Sequence, residues 1–241
     1  MTEKKSLNFD FLDEKPKKAG VVENAAESKV STTEERPVQK IESKKVPFFE
    51  FFKELFTNFP KFAQDYLTKK NPPYWLLVMW IMGMGAVADR MIDTIKDSNG
   101  WGEVWAIVLF GGILGAAIAY YIQGWFYGVR IKWSKGTLDQ DSARQIWLYS
   151  TFPISAVSVL SLIFCQIAYG SDFFDYYYGE TTTVEGIFIF LSLVAIVYSI
   201  IVSYKSVRKV AKVEKGLAIW WFIVAPLIFY ILIAIGGAAS S

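Results

Sequence analysis

The side chains best placed for chemistry are hydroxyls and amides set in apolar surroundings. Ser155, Ser158, Ser161 and Gln166 share one apolar run, and Ser192, Ser199 and Ser203 share another. Serines at helical spacing bond across to a neighbouring helix or back onto their own backbone, and a line of them can also coat a narrow polar path. Moving ions or protons along such a path calls for an ionisable group at depth. Only Asp89 and Arg90, with Asp93 nearby, approach that role, and they close an apolar run, where a headgroup-level charge cluster serves equally. A second constellation is steric. Gly111, Gly115 and Ala119 recur every fourth position, and Gly124 and Gly128 repeat the interval. Small residues at that spacing let two helix backbones approach closely, either within one chain or, as the alternative, between two copies in a homodimer.

The residues that are absent narrow the chemistry further. The chain has no histidine, which removes the usual zinc ligand, haem ligand and neutral-pH proton shuttle. Cys165 is the lone cysteine, so no disulfide can form within the chain. No glycine-rich loop ends in Lys-Ser/Thr, and no carboxylate pair falls at the centre of an apolar run. The reading is therefore of a protein that is not an enzyme and uses no metal or cofactor. A net charge of +2 offers no footprint for nucleic acid. The first residues, Met-Thr-Glu-Lys-Lys, begin no apolar stretch of the kind that opens a cleavable signal peptide.

The elements that must position these residues fall into three parts. Residues 1–46 mix Lys, Glu, Ser, Thr and Pro, too polar to offset chain entropy by burial, and read as a disordered tail. The apolar group Leu7, Phe9, Phe11 and Leu12 stands out as a short docking motif. Residues 47–70 set Phe48, Phe52, Leu55, Phe59, Phe62 and Tyr66 at spacings of four and three, an amphipathic juxtamembrane helix with Pro60 as a kink or restart. That aromatic stripe suits packing on lipid or on protein. Residues 73–236 then hold five apolar runs, at about 74–92, 104–128, 146–169, 187–204 and 217–235. The first is the shortest.

The fold expected is thus all-α, a polytopic bundle of five membrane spans behind an interfacial helix and a tail. Charge gives it a direction. Lys53, Lys61, Lys69, Lys70, Arg130, Lys132, Lys135, Arg144, Lys205, Arg208, Lys209, Lys212 and Lys215 all fall on one side of a five-span chain, and only Arg90 and Lys96 on the other. Basic residues in short loops stay in the cytoplasm, which sets the N-terminus inside and the C-terminus outside. Trp and Tyr near the run ends, such as Trp75, Trp105, Trp125, Trp133 and Trp220, fit interfacial anchors. There is also a faint internal echo: Phe126-Tyr127-Gly128-Val129-Arg130 and Tyr204-Lys205-Ser206-Val207-Arg208 each end a run, and each precedes a basic loop and a run with a proline, Pro153 or Pro226.

Two stretches carry a family likeness. ARQIWLYSTFPISAVSVLSLI, with Tyr149, Ser150 and Pro153, and YKSVRKVAKVEKGLAIWWFIVAPLIFY, with Lys215 and Pro226, resemble the Yip domain family over roughly Tyr74 to Ile235. That family comprises five-span membrane proteins named for binding Ypt/Rab-type GTPases in eukaryotes and also found in bacteria. The resemblance implies a helical bundle with a cytoplasmic N-terminus that organises membranes or recruits partners. The Asp-Leu-Tyr-Gly-Pro motif of eukaryotic trafficking members does not precede the first run, which points to a bacterial-type member in a cytoplasmic membrane. No functional residue is carried over. Two roles stay open: a scaffold that rests in the lipid bilayer and recruits a soluble partner through its tail, or a small transporter or channel subunit.

Overall fold

The computed structural model describes residues 46–69, 72–91, 100–176 and 183–240, with their side chains except at 89–91, 175–176, 233–234 and 236–240. Most of the tail, with its Leu7–Leu12 residues, and Lys70 and Lys96 lie outside the described residues. All regular structure among the described residues is helical. In chain order it comprises α1 (Phe48–Thr57), α2 (Phe59–Phe62), α3 (Trp75–Met91), α4 (Trp101–Ala106), α5 (Gly112–Trp133), α6 (Gln140–Tyr169), α7 (Asp172–Tyr176), α8 (Thr183–Val210), α9 (Lys215–Ile219) and α10 (Ala225–Ser240). Three π turns join neighbours into continuous rods: Ala63–Leu67 extends α2, Ile107–Gly111 links α4 to α5, and Trp220–Val224 links α9 to α10.

Four of these rods are long and apolar enough to cross a bilayer: Trp101–Trp133, Gln140–Tyr169, Thr183–Val210 and Lys215–Leu232. Their outward faces are apolar, with Phe110 in the π turn before α5, Leu114 and Ile122 on α5, Phe190 and Leu193 on α8, and Leu232 on α10 exposed. Water would not tolerate so continuous a surface, whereas lipid tails would. α3 has 17 residues, about 26 Å at ~1.5 Å per residue against a hydrocarbon core of ~30 Å. The helices outrun the apolar runs that reveal them. Residues 101–103 and 129–133 extend the second rod, residues 140–145 begin the third, and 205–210 end the fourth. Hydropathy marks only the lipid-facing length, and the polar tips keep their helical hydrogen bonds in water.

All of those tips except 101–103 gather at one end of the bundle, the basic end, where α5 turns into α6 and α8 into α9. The two turns are built alike. Lys135 and Lys212 each take a left-handed conformation just past a helix C-terminus, at φ 58° and 52°. The turns then bond to each other reciprocally: the Thr137 N–H donates to the Ala211 carbonyl at 3.0 Å, and the Glu214 N–H donates to the Ser134 carbonyl at 2.9 Å. Lys135 Nζ adds an ion pair with Glu214 Oε2 at 2.7 Å. Gly136 fits because a side chain there would overlap Val213. The echo between the two hairpins in the sequence is thus matched by a reciprocal clasp in space.

The core divides along the long axis. Toward the basic end Phe51, Phe62, Tyr127, Tyr149, Val207 and Phe222 are buried together. Toward the far end Met84, Val104, Val108, Leu162, Cys165 and Phe173 form a second cluster. α3 lies between α5 and α6, and two glycines set how close it comes. A Cβ on Gly83 would overlap the Gly112 carbonyl and come within 2.6 Å of the Ala116 side chain, and one on Gly85 would meet Ser155 at 2.5 Å.

α1 and α2 pack across the basic half of the bundle. Their buried side chains are Phe51, Leu55, Phe59, Phe62, Ala63 and Leu67, whereas Phe48 and Phe56 are 44% exposed and Phe49 87%. Phe51 meets the Tyr149 ring of α6 edge-on and Phe62 meets it at a tilt. Tyr198 of α8 donates its hydroxyl to the carbonyls of Leu55 and Phe56, at 3.2 and 3.0 Å. Tyr149 in turn donates to the Pro73 carbonyl, which ties the start of α3 to the same point.

Candidate functional site

A cavity of about 550 Å³ opens into the basic half of the bundle, among α5, α6, α8 and the rod of α9 and α10. Its deepest lining residues on the three long helices are Gln123, Ile154 and Ile196. Serine hydroxyls reach it from both expected runs. Tyr127 and Ser203 share a hydrogen bond of 2.8 Å, and Ser150 and Thr151 donate to the Trp147 carbonyl at 3.0 and 2.8 Å. Ser199 is the exception: it is 4% exposed, its Oγ has no hydrogen-bond partner, and it lines the cavity.

Arg130 is the cation of this site, and a backbone defect holds it. In the i→i+5 pattern of the π turn Trp220–Val224, the donor due to the Trp221 carbonyl would be residue 226, which is proline and has no N–H. Arg130 fills that vacancy. Its Nε and Nη2 both donate to Trp221 O, at 2.9 and 2.5 Å. The guanidinium carbon lies 4.5 Å from the Phe222 ring centroid and 5.6 Å from that of Tyr127, close enough for cation–π attraction. The ion pairs among the described residues are Lys135 with Glu214 and Arg144 with Asp141, so no carboxylate there neutralises Arg130.

The residues singled out in the sequence fall in different places. Ser199 lines the cavity. Ser155 packs against Gly85, Ser158 bonds back to the Ile154 carbonyl at 3.3 Å, and Gln166 Oε1 accepts from Trp105 Nε1 at 2.6 Å near the far end. Asp89 and Arg90 belong to the last turn of α3, and their side chains lie outside the described residues. Of the small residues, Gly111 and Gly115 face Val87 at ordinary contact distances of 3.7 and 3.5 Å from a built Cβ, and Ala119 is buried. The closest approach belongs to Gly112 and Ala116, one position along. Gly124 and Gly128 receive α6: a Cβ on Gly124 would come within 2.7 Å of Arg144, one on Gly128 would overlap Gln140, and Gln140 Nε2 donates to the Gly124 carbonyl at 3.0 Å.

Sequence reasoning passed over Arg130, counting it with the basic residues of the loop, and took Trp220 as an interfacial anchor. The signal available was Arg130 placed one turn past Tyr127 inside a helix, together with Pro226 inside an apolar run. Nothing in the sequence pairs the two.

This bundle of apolar rods defines an integral, multi-pass membrane protein. The Yip1 domain model matches residues 53–236, from within α1 to the last helix, and the chain belongs to that family. No curated protein matches the chain. No solved structure matches it either.

Proposed function

We propose that this protein is a non-enzymatic Yip-type scaffold with five membrane spans, its N-terminus cytoplasmic and its C-terminus on the outer side. In this reading the bundle is the anchor and residues 1–46 recruit a soluble partner. The observation that carries it is the docking of α1 and α2. Phe51, Leu55, Phe59 and Phe62, all 2% exposed or less, hold the start of the described chain against α6 and α8, so the tail leaves from a fixed point at the basic end. Phe49 and its exposed neighbours on the opposite side of α1 suit the headgroup region, which gives the helix contact with both protein and lipid.

Two further features support the details. α3 runs between two membrane-length rods and has no room for water against Gly112 and Ser155, which favours a fifth crossing over a peripheral position. The clasped turns collect Lys132, Lys135, Lys209, Lys212 and Lys215 at one end, the distribution of a cytoplasmic face. The missing Asp-Leu-Tyr-Gly-Pro motif favours a bacterial cytoplasmic membrane over Rab-linked trafficking. A transporter needs a path across the bilayer, and the half-depth cavity supports that alternative less well than it supports a static anchor.

In-cell crosslinking of the full chain, compared with a variant lacking residues 1–45, tests the reading. Partner adducts that vanish with the tail are the expected result. Robust, solute-specific flux by the purified chain in proteoliposomes would overturn it in favour of transport.

A further inference from the structure

The cavity combines three features that no internal contact resolves. At its mouth is the Arg130 guanidinium, half-buried, clamped to the Trp221 carbonyl and laid against Phe222, with no carboxylate partner among the described residues. Arginine presents five N–H donors, and two are used on Trp221, which leaves three in a fixed fork. Among the lining residues is Ser199, whose buried hydroxyl has no hydrogen-bond partner among the described residues. The remaining wall is largely apolar, with Ile154 and Ile196 at depth and Phe126 and Phe229 at the side. Phe126 and Phe229 are themselves exposed on the outer surface, on α5 and α10, so the cavity reaches the lipid-facing side between those helices.

These features select an occupant. A half-buried cation without a counter-charge is costly in a membrane protein, and a bidentate oxyanion suits the free fork. A small soluble anion would leave the apolar wall unfilled, and a neutral sterol would leave the cation unpaired. The volume of about 550 Å³ lies within the ~300–1,000 Å³ usual for ligand sites. We propose that the cavity is a binding site for one anionic phospholipid. Its phosphate sits on the free edge of Arg130, a glycerol-ester carbonyl accepts from Ser199, and an acyl chain leaves between Phe126 and Phe229. The proposal requires only that the chain is a membrane protein, and it stands or falls apart from the scaffold reading and from the side on which the basic end lies.

The test uses the purified full chain in dodecyl maltoside. Native mass spectrometry follows lipid retention, and thermal unfolding follows stabilisation, with dioleoyl phosphatidylglycerol, dioleoyl phosphatidylcholine and inorganic phosphate as separate probes. One phosphatidylglycerol per chain should be retained about tenfold more strongly than phosphatidylcholine, as charge-assisted pairing implies, and inorganic phosphate should leave the unfolding temperature unchanged. Arg130→Gln should lower phosphatidylglycerol retention to the phosphatidylcholine level. Because Arg130 also satisfies Trp221, Ile154→Trp provides a second variant that fills the cavity and leaves the cation in place; it should lose retention of both lipids. Equal retention of the two lipids by the unaltered chain, undiminished phosphatidylglycerol binding by Ile154→Trp, or stabilisation by inorganic phosphate alone would each overturn the proposal.

Discussion

Gly83 has no room for a side chain: a methyl there meets backbone on the neighbouring helix, which cannot rotate away as a side chain could. Gly83→Ala must therefore separate α3 from α5, and overpacking of this kind costs about 1–3 kcal/mol. Scanning fluorimetry in detergent should show a clear loss of unfolding temperature for Gly83→Ala and none for Gly102→Ala, where a Cβ meets nothing within 4 Å. Asp139 offers a second residue-scale test. Its Oδ1 accepts the Ser142 N–H at 2.9 Å and caps α6. Partial burial raises its pKa, but the hydrogen bonds from Ser142 and adjacent N–H groups outweigh that and hold it below the ordinary aspartate value. A carboxylate depressed in the folded state stabilises fully above its unfolded pKa, and that stability fades as the pH falls through the folded value. Asp139→Ala should cost about 1 kcal/mol at neutral pH. Asp139→Asn, which still caps, should flatten the decline on the acid side in unfolding scans taken across that range. Small residues and a capping aspartate are visible in the sequence as types. Their partners are not, because the register between α3 and α5 depends on packing that no local pattern records: Gly112 and Ala116 face α3 most closely, one position along from Gly111 and Gly115.

At the scale of elements, the aromatic helix shows what periodicity can and cannot reveal. Spacing put Phe48, Phe52, Leu55, Phe59, Phe62 and Tyr66 on one face, whereas the most buried set is Phe51, Leu55, Phe59, Phe62, Ala63 and Leu67. With phenylalanines at 48, 49, 51, 52 and 56, several faces of α1 are apolar, and Tyr149 and Tyr198 decide which of them is covered. The two sides should separate in mutation. Phe51→Ala is expected to lower stability by about 3 kcal/mol, as for a buried aromatic, while Phe49→Ala should leave the unfolding temperature nearly unchanged. Chemical unfolding of the purified chain followed by tryptophan emission would measure both. Equal losses would mean that α1 is not held by the face described. The apolar length of four rods was legible, but their polar tips were not, since helical hydrogen bonding continues where hydropathy stops. The π turn at Trp220–Val224 was equally hidden, because it depends on Pro226 and a distant Arg130 acting together.

For the molecule as a whole, the number of crossings and their direction are tied together. If α3 spans with the four longer rods, the two chain ends lie on opposite faces. A topology reporter placed before residue 1 should then be active inside, and the same reporter inserted in the turn at 134–139, two crossings later, should be active inside as well. Activity of the two on opposite sides would remove the fifth crossing and would set Lys53, Lys61 and Lys69 on the face opposite the turn. The family relationship was legible from the Pro153 and Pro226 stretches because they combine a helix interruption with polar lead-in residues.

The clasp between the two basic turns also has a consequence in time. Ser134 and Thr137 leave the ribosome an entire hairpin before Ala211 and Glu214, so through most of synthesis their backbone groups meet only water. The joint can close only after α8 and the turn that follows it have been made. Nascent chains halted before residue 211 would hold an open turn, and membrane quality-control proteases should clear them faster than chains released after residue 236.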